Sequence, residues 1–173
     1  MDIFGARVTP DGEVLDPDGF PISTAPDFQF APALIFDGVN YLVAWNDYRA
    51  GIYESDIYAA RVTPDGTVLD PEGIAVCTEP YNQTILRGIS FDRTNYLLVW
   101  HDDRDGDEYY DIYAARVSRD GIVIDPNGFV ISDADNNQEY PQVQFDGTNY
   151  LVVWFDDRNA LEDYRIYGAR VTP

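Results

Sequence analysis

Hydrophobic and polar positions alternate in short bursts along this chain. Gln142-Val-Gln-Phe145 alternates and stops at Asp146-Gly147. Tyr150-Leu-Val-Val-Trp154 is β-branched and aromatic, and Ile166-Tyr-Gly-Ala-Arg-Val171 alternates again. Gly121-Ile-Val-Ile124 and Phe129-Val-Ile-Ser132 read as one strand interrupted by Asp125-Pro-Asn-Gly128. Strand-type residues, a period of two and Gly/Asp/Pro punctuation all predict β-strands, and no segment keeps a helical period for three turns.

The bursts form a repeat. Asp2-Ile-Phe-Gly-Ala-Arg-Val8 returns at Asp56–Val62, Asp111–Val117 and Arg165–Val171. Asn40-Tyr-Leu-Val-Ala-Trp45 returns at Asn95–Trp100 and Asn149–Trp154, and Asp16-Pro-Asp-Gly19 at Asp70–Gly73 and Asp125–Gly128. Residues 1–173 read as a single repeat domain with repeats at about 2–55, 56–110 and 111–164 and a partial fourth at 165–173. Four short antiparallel strands per repeat of this length match a β-propeller blade. From axis to rim, strand A is expected at about 31–36, 86–91 and 140–145, and strand B at about 40–46, 95–101 and 149–155. Strand C is expected at about 3–9, 57–63, 112–118 and 166–172, and strand D at about 13–23, 67–77 and 122–132. The expectation is an all-β half-propeller, three blades per chain, circularly offset. Three blades are too few to close a ring, whereas two chains supply six, so a homodimeric six-bladed ring is expected. Arg165–Val171 and Asp2–Val8 then compete for one slot. The rival expectation, compatible with the first, is that the chain is part of a longer array.

The repeat resembles arrays carried by secreted and surface proteins of environmental bacteria, with D-I-Y-G-A-R-V, D-P-x-G and D-G-x-N-Y-L-V-V-W-x-D-x-R motifs. The pattern is met at Asp111–Val117, Asp125–Gly128 and Asp146–Arg158, with Arg93 and Arg165 as departures from its Gly and Asp. The resemblance implies a propeller-like fold, bacterial origin and export to the cell surface or exterior; it carries little function.

Composition narrows the function classes. With 31 acidic and 11 basic residues the net charge is −20, which argues against nucleic acid. At 45% hydrophobic the chain is too apolar for a disordered acidic tail, yet no run reaches the length of a membrane helix. Every basic residue is Arg, whose planar fork suits bidentate pairing with carboxylates, so defined Arg–Asp or Arg–Glu pairs are expected. Cys77 is alone and supports no internal disulfide.

The A–B and C–D turns carry Asp-Gly or its equivalent and read as structural. The B–C loops 47–55, 102–110 and 156–164 and the D–A loops 24–30, 78–84 and 133–139 are expected to vary in length and residues. They are rich in Asp, Glu, Asn and Tyr, so a carbohydrate or protein ligand is expected on this face, at Tyr53, Glu54, Glu108, Tyr109, Tyr110, Asp163 and Tyr164. Asp103, Asp105 and Asp107 alternate as Ca²⁺ ligands do, which makes Ca²⁺ the first cofactor expectation, against a solvated acidic loop.

Trp45, Trp100 and Trp154 recur at one position and read as core packing between blades. Asp47-x-Arg49, Asp102-x-Arg104 and Asp156-x-Arg158 read as structural ion pairs, as do Arg7, Arg61, Arg116 and Arg170. His101 and Cys77 read as passenger substitutions, and no nucleophilic triad is visible. The expected function is a non-catalytic, self-assembling repeat scaffold or binding module. The alternative is a glycan-acting hydrolase using Glu108 with Asp103 or Asp163.

Overall fold

Each alternating burst becomes a strand, and each Asp-Gly or Asp-Pro-x-Gly cluster reverses the chain. A computed structural model describes residues 1–51, 54–85, 87–106, 109–161 and 163–173. Among them are fourteen strands and no helix. A leading hairpin pairs β1 (Ile3–Gly5) with β2 (Phe20–Ser23). The first unit is an antiparallel sheet in chain order, β3 (Gln29–Phe36), β4 (Tyr41–Asp47), β5 (Asp56–Val62) and β6 (Ile74–Cys77). The second unit has β7 (Gln83–Thr84) and β8 (Ile89–Phe91) side by side on β9 (Asn95–Asp102), followed by β10 (Asp111–Ser118) and β11 (Phe129–Ser132). The third unit is β12 (Gln138–Phe145), β13 (Tyr150–Asp156) and β14 (Arg165–Val171). The structure is therefore all-β, built as four separate antiparallel sheets, none of which closes on itself.

Two expectations need correcting. Strand D is short: residues 13–19, 67–73 and 122–128 contribute only isolated bridges, Val8 to Val14, Val62 to Val68 and Val117 to Val123. The Asp-Pro-x-Gly turn bends the chain there, and the Asp carboxylate is taken by the Arg of the neighbouring strand. Strand A starts earlier than expected, at Gln29 and Gln138, and is bulged between Phe30 and Ala33 and between Glu139 and Gln142. Ala31 and Tyr140 sit at those bulges with φ of 53° and 55°. In the second unit one extra residue lies between Gln83 and Ile89, and the strand splits into β7 and β8.

Hydrophobic clusters hold the sheets together face to face. Ile3 and Ile22 of the hairpin pack on Val43, Trp45, Ala60 and Val62. The first unit presents Leu42, Ala44, Ile57 and Ala59 to Tyr96, Leu98, Trp100 and Val117 of the second. The second presents Leu97, Val99, Ile112 and Ala114 to Tyr150, Val152 and Trp154 of the third. In β4 and β9 both faces are buried, which explains their near-continuous apolar runs.

Candidate functional site

Strand alternation sets up a staple in each unit. Trp45 and Asp47 are two apart on β4 and share a side, so the indole Nε1 donates to Asp47 Oδ2 at 2.8 Å. Arg49 then grips the same carboxylate with Nε at 2.9 Å, Nη2 at 2.7 Å and its backbone N–H at 2.9 Å. Its guanidinium lies 3.9 Å from the Tyr58 ring centre, and Nη1 donates to the Glu72 carbonyl. Trp100, Asp102, Arg104 and Tyr113 repeat the arrangement, with Arg104 donating to the Asn127 carbonyl. Trp154, Asp156, Arg158 and Tyr167 repeat it again, with Arg158 donating to Ser132 Oγ as Arg104 does to Cys77 Sγ. Asp47, Asp102 and Asp156 are buried, and every carboxylate oxygen is satisfied. Gly128 is where the staple meets the Asp-Pro-x-Gly turn: a Cβ there would lie 2.7 Å from the Trp100 ring.

A second clasp joins strand C to the turn. Arg7, Arg61 and Arg116 each hold an Asp nine residues on (Asp16, Asp70 and Asp125) through Nε, Nη2 and the backbone N–H. The Arg7 guanidinium holds the Asp16 carboxyl down at about 2. Arg170 makes no such clasp among the described residues and lies near Asp146. Arg119 and Arg165 also pair with Asp, with Asp37 and Asp163.

The loop end is more uniform than expected. The B–C and D–A loops are of equal length in every copy. They share one backbone link: Gln29, Gln83 and Gln138 donate N–H to the carbonyls of Met1, Ser55 and Tyr110, each in the preceding unit or hairpin. The same three Gln side chains are fully buried and their Nε2 groups donate to D–A loop carbonyls. Sequence reasoning missed them, although their recurrence at 54 and 55 residues was the available signal.

Of the expected ligand residues, Tyr110 and Tyr164 are joined in one aromatic cluster through His101, Tyr140 and Phe155. Tyr53, Glu108 and Asp107 lie outside the described residues. Glu54 and Tyr109 are exposed, and Asp163 is exposed and paired with Arg165. Tyr110 packs on His101. Tyr164 donates to Glu139 at 2.9 Å, and with Tyr140 and Phe155 they line an open cavity of about 340 Å³. Asp103 accepts from the Asn82 backbone and side-chain nitrogens, the place Asp157 takes on Asn137. Asp105 is exposed, and no group of three or more His, Cys, Asp or Glu could hold a metal among the described residues.

His101 is no passenger. It is buried, and its Nδ1 accepts the Tyr140 backbone N–H of the third unit, much as Asn46 bonds the Ile85 backbone in the second. Burial pulls the imidazole down to about 4, so it is neutral, outweighing the pull of Asp102. Cys77 is buried beneath Arg104 and Asn127, and burial pushes its thiol up to about 12.

Asp56 is a carboxylate held for a different reason. It faces Asp47 across the β4–β5 ladder, and burial, Asp47 and Glu54 together raise it to about 6 against the pull of Arg49. Its unfolded value is about 3.9. Stability associated with Asp56 is therefore fully present below that value and lost as pH rises through 6. Asp56→Asn is expected to stabilise at pH 8 by about 1–3 kcal/mol and to show no gain at pH 3.5 in urea melts. An equal difference at both pH values would assign the effect to something other than ionisation.

The turns opposite the loop end also bridge units. Asp37 caps its own turn through the N–H groups of Val39 and Asn40 and accepts the Tyr96 hydroxyl of the second unit at 2.7 Å. Asp92 does the same for Thr94 and Asn95, and Tyr150 of the third unit donates its hydroxyl to the Asn95 carbonyl at 3.3 Å. Asp146 caps Thr148 and Asn149 and is exposed. Comparison with protein-family models, curated proteins and solved structures gives no match.

The two ends of the stack are bare where its middle is covered. Leu42 and Leu97 are 0% exposed, and their equivalent Leu151 is 50% exposed. Ile57 and Ile112 are 0% exposed, and Ile166 is 65% exposed. At the other end Val8, Phe20, Leu34, Tyr41 and Val43 line a cavity of about 350 Å³ between the leading hairpin and the first unit.

Proposed function

We propose that this chain is a non-catalytic scaffold or binding module of the β-propeller type, that its units are blades, and that it assembles with a second copy into a six-bladed ring. The observation that carries this is the pair of bare faces. Each has the residues that are buried between units inside the chain, and each lacks the neighbour that would bury them. The leading hairpin holds the places of strands C and D of a further blade, and its cavity lies where strands A and B of that blade belong. The third unit has A, B and C without D.

The sameness of the staples supports a structural role for the Trp, Asp and Arg repeats, because a catalytic centre needs one unit to differ. A hydrolase is less well supported: Asp103 is tied to Asn82 and Asp163 to Arg165. The acidic, tyrosine-rich loop end is the face assigned to a carbohydrate or protein ligand. The sequence resemblance supports a bacterial, exported setting.

Light scattering or sedimentation at micromolar concentration tests the assembly. A species of twice the 19.6 kDa chain mass is expected, and a strictly monomeric one would overturn the proposal. The same sample with EDTA tests Ca²⁺: bound cation requires a lower Tm on chelation, and an unchanged Tm sinks it.

A further inference from the structure

We infer that the ring closes by strand exchange: β12, β13 and β14 of one copy are completed by β2 of the second copy, whose own β1 gives up its place. This rests on the self-assembly proposed above and identifies which strand fills the contested slot.

Four positions at one end match four at the other. Arg170 stands where Arg61 and Arg116 reach the Asp of an Asp-Pro-x-Gly turn, and Asp16 of the second copy is the turn Asp that remains, now held by Arg7. Arg158 meets Ser132 as Arg104 meets Cys77, but among the described residues it lacks a turn carbonyl like those of Glu72 and Asn127; the equivalent carbonyl is that of Asp18. Trp154 stands where Trp45 and Trp100 lie against Gly73 and Gly128. Around Gly19, the equivalent glycine, the three nearest atoms a Cβ would meet belong to the Gly5 carbonyl and Phe4. Asp146 stands where Asp37 binds the Tyr96 hydroxyl, and Tyr41 is the equivalent tyrosine on the first unit.

Both β1 and β14 are strand C, and charge decides between them. β14 is in register with β13 over seven residues, Tyr150 with Val171 through Asp156 with Arg165. β1 makes with β2 the same three-residue bulged ladder that β5 makes with β6 and β10 with β11, so pairing alone does not rank the two strands. With β14 in place, Arg165 faces Asp156. With β1 in its place, Asp2 would face Asp156 and recreate the carboxylate pair of Asp47 with Asp56. The exchange keeps the clasp, since Arg170 replaces Arg7 on Asp16. It also keeps the outer bridge, since Val171 is the equivalent of Val8, which meets Val14.

Register supplies the test. Ile3, Ile57 and Ile112 face Ser23, Cys77 and Ser132 respectively. In a Cys77→Ser background, Ile166→Cys with Ser23→Cys is expected to give a disulfide between copies, running at twice the chain mass without reductant. A dimer that forms no such bond, while Ile3→Cys with Ser23→Cys closes within one chain, overturns the exchange and leaves the ring standing. A monomer in every variant and in the parent chain overturns the ring itself. Deleting residues 1–8 gives a second readout: the exchange requires the dimer to persist, and its loss would return the slot to β1.

Discussion

Asp102→Ala is expected to destabilise the chain by about 3–5 kcal/mol, because it strips a buried ion pair of one partner. The Asp102 side chain is fully buried and that of Arg104 is 16% exposed. Removing the carboxylate leaves the Trp100 Nε1–H without its acceptor and the Arg104 guanidinium without its counter-charge, beside the buried strand β9. Arg104 keeps the Asn127 carbonyl and the Tyr113 ring, which limits the loss but cannot neutralise the charge. A fall in Tm of about 10 °C follows for a chain of this size. Asp16→Ala is expected to cost much less, because solvent already screens that clasp. Equal losses at the two positions, measured by thermal melts, would show that burial does not govern the pair.

The second large effect is on assembly. Leu151→Asp is expected to leave the folded single chain intact, since Leu151 is half exposed within it. In the proposed ring this residue is buried as Leu42 and Leu97 are, and a carboxylate there would have to be desolvated without a partner. Burying an unpaired charge costs at least several kcal/mol, so dimer affinity should fall by more than about 100-fold. Twofold symmetry places the substitution at both seams, which adds to the loss. Leu97→Asp is the contrasting control, expected to unfold the chain because that position is buried within one copy. A dimer undiminished by Leu151→Asp, at concentrations near the parent's dissociation constant, would show that the interface lies elsewhere.

The aromatic corner of Glu139, Tyr140, Phe155 and Tyr164 is tied to the same geometry. Phe155 takes the position of Asn46 and His101, which reach the next unit's backbone. Its exposure is therefore that of an end face.

Residue order alone made the repeat, the strand positions and the turns legible. These depend on neighbours a few residues apart: alternation selects the extended backbone, and Asp-Gly and Asp-Pro-x-Gly select the reversals. The all-Arg composition likewise announced the Arg–Asp pairs, because Asp47 with Arg49 and Asp70 with Arg61 are close in the chain or on adjacent strands. Tertiary structure decided what equal residues become. Leu42 and Leu151 occupy the same motif position, yet one is enclosed and the other bare, because enclosure depends on a sheet supplied by a different part of the chain. The roles of His101 and of Gln29, Gln83 and Gln138 were set in the same way, by the backbone of the adjoining unit, which no local pattern records.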